Sequence, residues 1–196
     1  MKIIGMTGPT GSGKSLLGNY LSGQGIPVID ADEVYHSLLV PPSSCLCALT
    51  EAFGDGILHS DGTLNRGALS EIVFHDKEKL ALLNKTVLGF VLDRIREMIG
   101  ELARQGHGAA AVDAPTLIES GFHTECDVVI SVLSSADLRI ERIKARDGLT
   151  DERARARVAA QKPDDFYVSH SHYVLTNTED VSEFFQKAEE LFRSLL

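Results

Sequence analysis

The sequence predicts a doubly wound α/β fold, in which a parallel sheet of five strands is covered by helices on both faces. Short apolar runs alternate along the chain with segments whose apolar residues recur at helical spacing. These runs are continuously apolar, as expected for strands that are buried on both faces. Two of them end in aspartate, and in such sheets ligands bind beyond the carboxyl ends of the strands. A chain of 196 residues has the size of one domain.

The elements follow from these patterns in order. Strands are predicted at residues 3–6, 26–30, 109–113, 128–133 and 173–176. Helices are predicted at residues 16–21, about 76–104, 136–147, 151–161 and about 180–195. Thr150 can cap the fourth of these helices. The last helix is amphipathic and carries its apolar residues on one face, namely Val181, Phe184, Phe185, Ala188, Leu191 and Phe192.

Residues 8–15, between the first strand and its helix, read G-x-x-x-x-G-K-S, the pattern of a P-loop. Backbone N–H groups of such a loop and the dipole of the following helix bind phosphate. Lys14 would reach the β- and γ-phosphates of ATP, and the Ser15 hydroxyl would ligate Mg²⁺. The alternative is a glycine-rich turn that matches the pattern by chance and binds no nucleotide. The predicted nucleotide-binding residues of this segment are Gly8, Gly11, Ser12, Gly13, Lys14, Ser15 and Leu16.

Two regions interrupt the alternation of strands and helices. Residues of about 43–105 contain no convincing strand, and they are predicted to form a helical arm that binds the phosphoryl acceptor. Residues of about 142–170 are rich in Arg, Asp and Glu and are predicted to form a lid, which would exclude water as a competing acceptor. The core of this single domain would then comprise residues 1–42, 106–141 and 171–196.

Carboxylates are predicted at the ligand edge of the sheet. Asp30 and Asp32 follow the second strand, where one could orient or deprotonate an acceptor hydroxyl; the alternative is a helix N-cap. Asp113 ends the third strand and would support Mg²⁺ together with Ser15, unless it is only a turn residue. Pro115 and Leu117 would then run along the acceptor side.

Arginines at helical spacing offer positive charge for the transferring phosphoryl group. We expect Arg142 and Arg146 to act on ATP, and Arg139 to lie on a solvated, ion-paired helix face. Asn177 follows the last strand, where its amide could bind adenine; a simple turn residue is the equal alternative. His36, four residues beyond Asp32, could line the acceptor cleft.

Charge and composition argue against some classes of protein and indicate where this one is located. A formal net charge of −9 argues against a nucleic-acid-binding surface, and no stretch approaches the length of a membrane span. The three cysteines are odd in number and lack metal-site spacing, which predicts reduced thiols. The chain enters the first strand at once, with no signal peptide, so a cytoplasmic location is expected. Nothing in the sequence indicates an obligate protein partner.

Taken in order, these residues resemble the dephospho-CoA kinase family over nearly the whole chain. The resemblance rests on the P-loop, Asp30-Ala31-Asp32 with His36, Leu64-Asn65-Arg66, Asp113-Ala114-Pro115, the Arg142 to Asp147 segment, and Asn177. It implies transfer of a phosphoryl group from Mg-ATP to the ribose 3′-hydroxyl of dephospho-CoA. It also implies that Asp32 is the base, that Arg66 belongs to the acceptor-binding arm, and that Arg142 and Arg146 belong to the lid.

The chain departs from the family pattern at several positions. Pro9 and Thr10 replace Gly and Ile in the loop, and Pro9 removes one N–H group. Leu16 stands where a hydroxyl residue is usual, and the His-Pro pair of the helical arm is missing at residues 86–90. The alternatives are therefore a P-loop kinase for another small nucleoside-like acceptor, or a catalytically weak ATP-binding protein.

Overall fold

The computed structural model describes residues 1–178 and 180–195. It contains a sheet of five strands, which are β1 Lys2–Thr7, β2 Val28–Asp30, β3 Ala109–Asp113, β4 Val128–Leu133 and β5 Tyr173–Thr176. Their order in the sheet is β2-β3-β1-β4-β5. β1 pairs in parallel with β3 and β4, and β4 pairs in parallel with β5.

Helices connect the strands. They are α1 Lys14–Gly23, α2 Ala31–Ser37, α3 Ser44–Phe53, α4 Arg66–Phe74, α5 Lys77–Arg104, α6 Ala136–Asp147, α7 Asp151–Ala159, α8 Asp164–Ser169 and α9 Val181–Leu195. In the described part of the chain, no helix is long and apolar enough to cross a membrane.

The predicted fold class is confirmed, and three of the five predicted strands match β3, β4 and β5 in full. Every residue of β4 is buried, which explains why its apolar run was easy to recognise. β2 begins later than predicted, at Val28. Pro27, before it, has no N–H to donate, although its carbonyl accepts a hydrogen bond of 2.8 Å from Ala111 N.

The lid region contains one helix that the sequence pattern did not predict. α7 ends at Ala159 rather than at residue 161, and the short α8 starts after Pro163. Proline suits the residue before a helix because its φ angle is fixed near the helical value. Thr150 caps α7 as expected, since its side chain accepts a hydrogen bond from Arg153 N.

α9 packs against the hydrophobic core beside α1. Phe184, Ala188 and Phe192, four residues apart, are buried against a cluster that includes Leu17 and Leu21 of α1. Val181, which was predicted on the same face, is 42% exposed. The apolar face of α9 therefore begins one turn later than the sequence suggested.

The chain forms two compact units. One comprises Met1–Ile29 and Leu102–Leu196, and contains the sheet and α1. The other comprises Asp30–Glu101 and is helical, apart from an isolated antiparallel bridge between Leu58 and Leu64 among its described residues. It includes α2, which the sequence had assigned to the core.

The cysteines provide a test of this packing. Cys45 and Cys126 are buried free thiols, whereas Cys47 is exposed. Burial raises the pKa of Cys126 to about 12, and burial also raises the pKa of Cys45. Because the thiolate is the reactive form, we expect Ellman's reagent to modify Cys47 rapidly in the folded protein and the other two only after unfolding. Fast release of more than one equivalent of chromophore, or any fast release from Cys47→Ser, would contradict the packing.

Candidate active site

The glycines of residues 8–15 adopt backbone angles that other residues rarely adopt. The φ angle of Gly8 is 141° and that of Gly13 is 95°. A Cβ atom on Gly8 would lie 2.2 Å from Val132 O, and one on Gly13 would lie 2.0 Å from Asn177 Nδ2. Both the conformation and the close neighbours therefore require glycine at these two positions, as the predicted phosphate-binding loop needs.

Lys14 and Ser15 begin α1. Lys14 is half-buried, and its Nζ donates a hydrogen bond of 3.3 Å to Gly8 O, so the ammonium group lies over the loop. Ser15 is exposed, and no acidic residue lies in the first turn of α1 to compete for the positive helix end. Leu16 packs against the hydrophobic core beside α1, so its side chain offers no polar contact to a nucleotide.

Asn177 has a different role from the two that the sequence suggested. It is fully buried, its Nδ2 donates a 2.8 Å hydrogen bond to Ser12 O, and its Oδ1 accepts one of 3.3 Å from Arg142 Nη2. The prediction that this amide binds adenine is corrected, because both of its polar atoms are bonded within the protein. Asn177 holds the phosphate-binding loop.

Arg142 contacts carbonyl oxygens of the same loop and of neighbouring residues. Its Nη2 donates to Thr178 O at 2.8 Å, and its Nη1 donates to Ser134 Oγ at 3.1 Å. Longer contacts of 3.4 and 3.5 Å join Nη1 to the carbonyl oxygens of Gly11 and Ser12. Arg142 thus lies beside the loop that was predicted to bind phosphate. In this structure its guanidinium group contacts carbonyl oxygens of the loop.

Arg139 was expected on a solvated helix face, and the structure contradicts this. Its side chain is buried, with 5% exposure, and its Nε donates a 3.1 Å hydrogen bond to Thr10 O. Burial lowers the pKa of Arg139, and the charges of Asp164 and Tyr167 act in the opposite direction. The helical spacing of the arginines was recognised, but spacing alone could not reveal which of them faces the loop.

Arg146 lies on the surface of the region that was predicted to form a lid. Its Nε lies 2.7 Å from Asp147 Oδ1, and its side chain is 61% exposed. Arg157 pairs with the other carboxylate oxygen of Asp147. The hydrogen bond from Arg146 and the charges of both arginines lower the pKa of Asp147. The carboxylate thus fixes two lid guanidinium groups next to each other.

Asp113 ends β3 and is paired with Met6 of β1, two residues before the phosphate-binding loop. Its carboxylate and the Ser15 hydroxyl are hard oxygen donors of the kind that Mg²⁺ prefers, and Ser15 is exposed for ligation. The residues present therefore fit a magnesium ion.

Of the two predicted acceptor residues after β3, one is corrected. Leu117 is fully buried, and its Cδ2 would lie 2.7 Å from a Cβ on Gly5 of β1, so it belongs to the core and cannot contact a substrate. Pro115 is exposed, and its carbonyl accepts a hydrogen bond of 3.3 Å from Thr7 Oγ1.

The two aspartates after β2 divide the roles that the sequence left open. Asp30 Oδ1 accepts hydrogen bonds from Asp32 N at 2.8 Å and Glu33 N at 3.2 Å, and thereby caps α2. Asp32 lies in the first turn of α2 with its side chain exposed. The capping alternative is therefore correct for Asp30, and Asp32 remains a predicted catalytic carboxylate.

The helical unit brings together two predicted acceptor-binding residues that are far apart in sequence. Arg66 Nη2 donates to His36 Nδ1 at 3.0 Å, and both side chains are exposed. Asn65 accepts a hydrogen bond from Ala68 N and caps α4, which places Arg66 at the start of that helix. The Leu-Asn-Arg motif thus combines a helix cap with a positioned cation.

Gln161 is a contact that the sequence reasoning did not assign. Its Oε1 accepts a hydrogen bond of 3.2 Å from Thr10 N, and so joins the end of α7 to the phosphate-binding loop. In the sequence, Gln161 stood out only together with Arg157 and Ala160, as part of the resemblance to the family and without a role of its own.

Comparisons with known proteins agree with this geometry. The dephospho-CoA kinase family model matches residues 2–183. A relative named dephospho-CoA kinase from Corynebacterium glutamicum is 34% identical over 98% of this chain and 96% of its own length. One of the same name from Corynebacterium efficiens is 35% identical with the same coverage.

Solved structures show the same relationship. A crystal structure from Thermus thermophilus has a TM-score of 0.82 and 30% identity, over 100% of this chain and 97% of the other. Dephospho-CoA kinase from Campylobacter jejuni has a TM-score of 0.74 and 25% identity, over 100% and 98%. A shikimate kinase from Acinetobacter baumannii, 17% identical with a TM-score of 0.54 over 99% and 94%, shares the fold alone. Since the family model and relatives above 30% identity span nearly its whole length, the chain belongs to the dephospho-CoA kinase family.

Proposed function

We propose that this protein is a dephospho-CoA kinase, an enzyme that transfers the γ-phosphoryl group of ATP to the ribose 3′-hydroxyl of dephospho-CoA and releases coenzyme A and ADP. The observation that carries the proposal is the glycine-dependent loop at residues 8–15, with Lys14 over it, in a chain of this family. The exposed Asp32 and the His36–Arg66 pair supply the acceptor side.

ATP would bind with its phosphates on the N–H groups of the loop and of the first turn of α1. Lys14 would leave Gly8 O and pair with the β- and γ-phosphates. Ser15 and Asp113 would hold Mg²⁺, which neutralises phosphate charge when it is bound. Arg146, which Asp147 keeps in place, would add positive charge when the lid of residues 142–170 closes.

The acceptor would bind to the helical unit Asp30–Glu101, which we assign as the acceptor-binding arm. His36 and Arg66 would contact its polar groups. Pro115 stays a predicted acceptor-side residue. Asp32 would orient the 3′-hydroxyl and take its proton as the oxygen attacks phosphorus in line. Asp30 contributes by capping α2, which fixes the backbone of Asp32.

The same proposal places the protein in the cytoplasm, with small molecules as its binding partners. The free thiols of Cys45, Cys47 and Cys126 fit a reducing compartment. A net charge of −9 fits a small-molecule enzyme better than a nucleic-acid-binding protein.

Acceptor specificity is the first test. We expect Mg-ATP turnover, followed as ADP release, to be stimulated strongly by dephospho-CoA and only weakly by adenosine, AMP or CMP. Chelation of Mg²⁺ should abolish the stimulation, since phosphoryl transfer requires charge neutralisation at the phosphates. Stimulation by a control acceptor alone would assign the chain to another small acceptor, and none at all would favour a nucleotide-binding role.

The second test concerns the proposed base. Asp32→Asn should lower kcat by roughly a hundredfold or more, because general base catalysis contributes on that scale, while ATP affinity changes little. Glu33→Gln is the matched control, since Glu33 is the next residue of α2, is exposed, and lacks an assigned role. Equal kcat values for the wild type and Asp32→Asn would remove Asp32 from catalysis.

The third test uses the contact between α2 and α4. Arg66→Gln should raise KM for dephospho-CoA by roughly tenfold, as expected for loss of a charge-assisted contact, and leave KM for ATP unchanged. Combining it with His36→Ala should cost less than the sum of the single changes, because the two side chains are hydrogen bonded. Additive effects, or a change confined to KM for ATP, would separate this pair from acceptor binding.

A further inference from the structure

We propose that Arg139 is a positioning residue for nucleotide binding: by holding the carbonyl of Thr10 on the outer side of the phosphate-binding loop, it aims the N–H group of Gly11 at the phosphates. This inference rests on the proposal that the loop binds ATP. It does not depend on the identity of the acceptor.

The loop has fewer N–H groups available than its length suggests. Pro9 has none. Thr10 N donates to Gln161 Oε1 at 3.2 Å, and Ser12 N donates to Pro9 O at 3.2 Å within the loop. Between residues 9 and 13, the N–H groups left for a nucleotide are therefore those of Gly11 and Gly13.

Both of these N–H groups belong to peptide units whose carbonyl accepts a hydrogen bond from a side chain elsewhere in the protein. The carbonyl before Gly11 is that of Thr10, which accepts the 3.1 Å hydrogen bond from Arg139 Nε. The carbonyl before Gly13 is that of Ser12, which accepts the 2.8 Å hydrogen bond from Asn177 Nδ2. Because a trans peptide unit is planar, its C=O and N–H point in opposite directions. A side chain that fixes the carbonyl therefore also fixes the following N–H, which points to the opposite side of the loop.

The intervening peptide unit provides an internal comparison. Its carbonyl, on Gly11, has only the long 3.4 Å contact with Arg142 Nη1, and its N–H, on Ser12, is the one already used within the loop. The short side-chain hydrogen bonds thus coincide with the peptide units whose N–H groups remain available.

The burial of Arg139 supports a positional role. Arg139 is buried as a residue, and its Nη2 is a buried atom that has no hydrogen-bond partner among the described residues. Burial of this kind removes hydration from the charged group. An apolar side chain would be easier to bury at this site. Compared with an apolar side chain, arginine adds a hydrogen bond to Thr10 O and a positive charge beside the loop.

The test compares three variants. Arg139→Met fills a similar volume but has no donor, Arg139→Lys keeps a charged donor, and Arg153→Met is the control on the exposed side of α7. Binding of ADP and ATP is measured by titration calorimetry without acceptor, together with thermal unfolding and steady-state KM values. Because ADP binding requires no turnover, its outcome is independent of whether dephospho-CoA is the acceptor.

We expect Arg139→Met to weaken ADP and ATP binding by roughly tenfold, the scale of one hydrogen bond from a charged donor, while the melting temperature does not fall. KM for ATP should rise and KM for the acceptor should not. Arg139→Lys should restore most of the affinity, and Arg153→Met should bind as the wild type does.

Two results would overturn the proposal. One is Arg139→Met with wild-type nucleotide affinity, whatever its stability, because Arg139 would then serve packing alone. The other is Arg139→Lys with affinity as low as that of Arg139→Met, since a retained donor should hold Thr10 O. If Arg139→Met does not fold, the comparison between Arg139→Lys and the wild type decides: a loss of tenfold or more in a stable lysine variant refutes the role, and near-normal affinity supports it.

Discussion

The contact between Asn177 and the phosphate-binding loop is the constraint on which the rest of the site depends. Its amide bonds Ser12 O and Arg142, and it lies where any side chain on Gly13 would have to be. The strand order makes this contact possible, because β4 lies between β1 and β5. Asn177 N donates to Leu133 O at 2.8 Å, which fixes the end of β5 against the end of β4 beside the loop. The sheet therefore positions the side chain that shapes the loop. α1 begins at Lys14, directly after the residues that Asn177 holds.

Local patterns in the sequence were sufficient to predict the scaffold and the position of the loop. A few consecutive residues were enough to recognise the apolar runs of β3, β4 and β5 and the glycine-lysine motif. Burial on both faces and positive φ angles are requirements that act on such short segments. The roles of Arg139 and Asn177 were not predictable in this way. Their partners, Thr10 and Ser12, lie more than a hundred residues away in sequence, and nothing in the helical spacing of arginines or in a strand-end asparagine specifies such a contact.

Leu117 and Asp30 show how the same sequence position can serve the fold rather than the substrate. Both follow strands at the edge where ligands bind, which made each a candidate for the acceptor site. Leu117 instead fills the space that Gly5 leaves open beside β1, and Asp30 satisfies two N–H groups at the start of α2. Packing against Gly5 explains the position of Leu117, and capping of α2 explains that of Asp30, without a role in substrate binding. Asp32 lacks a comparable contact among the described hydrogen bonds and is exposed, and this difference separates the two aspartates of the motif.

The distribution of charge explains how an acidic chain can bind a polyanion. With a net charge of −9, the mean field of the protein opposes an approaching nucleotide. Exposed charges are screened over about 8 Å at physiological ionic strength, so distant carboxylates contribute little at the loop. Lys14 lies over the loop, and Arg139 and Arg142 contact its carbonyls. The buried position of Arg139 leaves its charge less screened than a surface arginine would be, and under our proposal the carbonyls that it and Asn177 bind point away from the phosphates. Local cations and oriented peptide dipoles therefore act together, which concentrates phosphate affinity in a site of a few residues and leaves the remaining surface acidic.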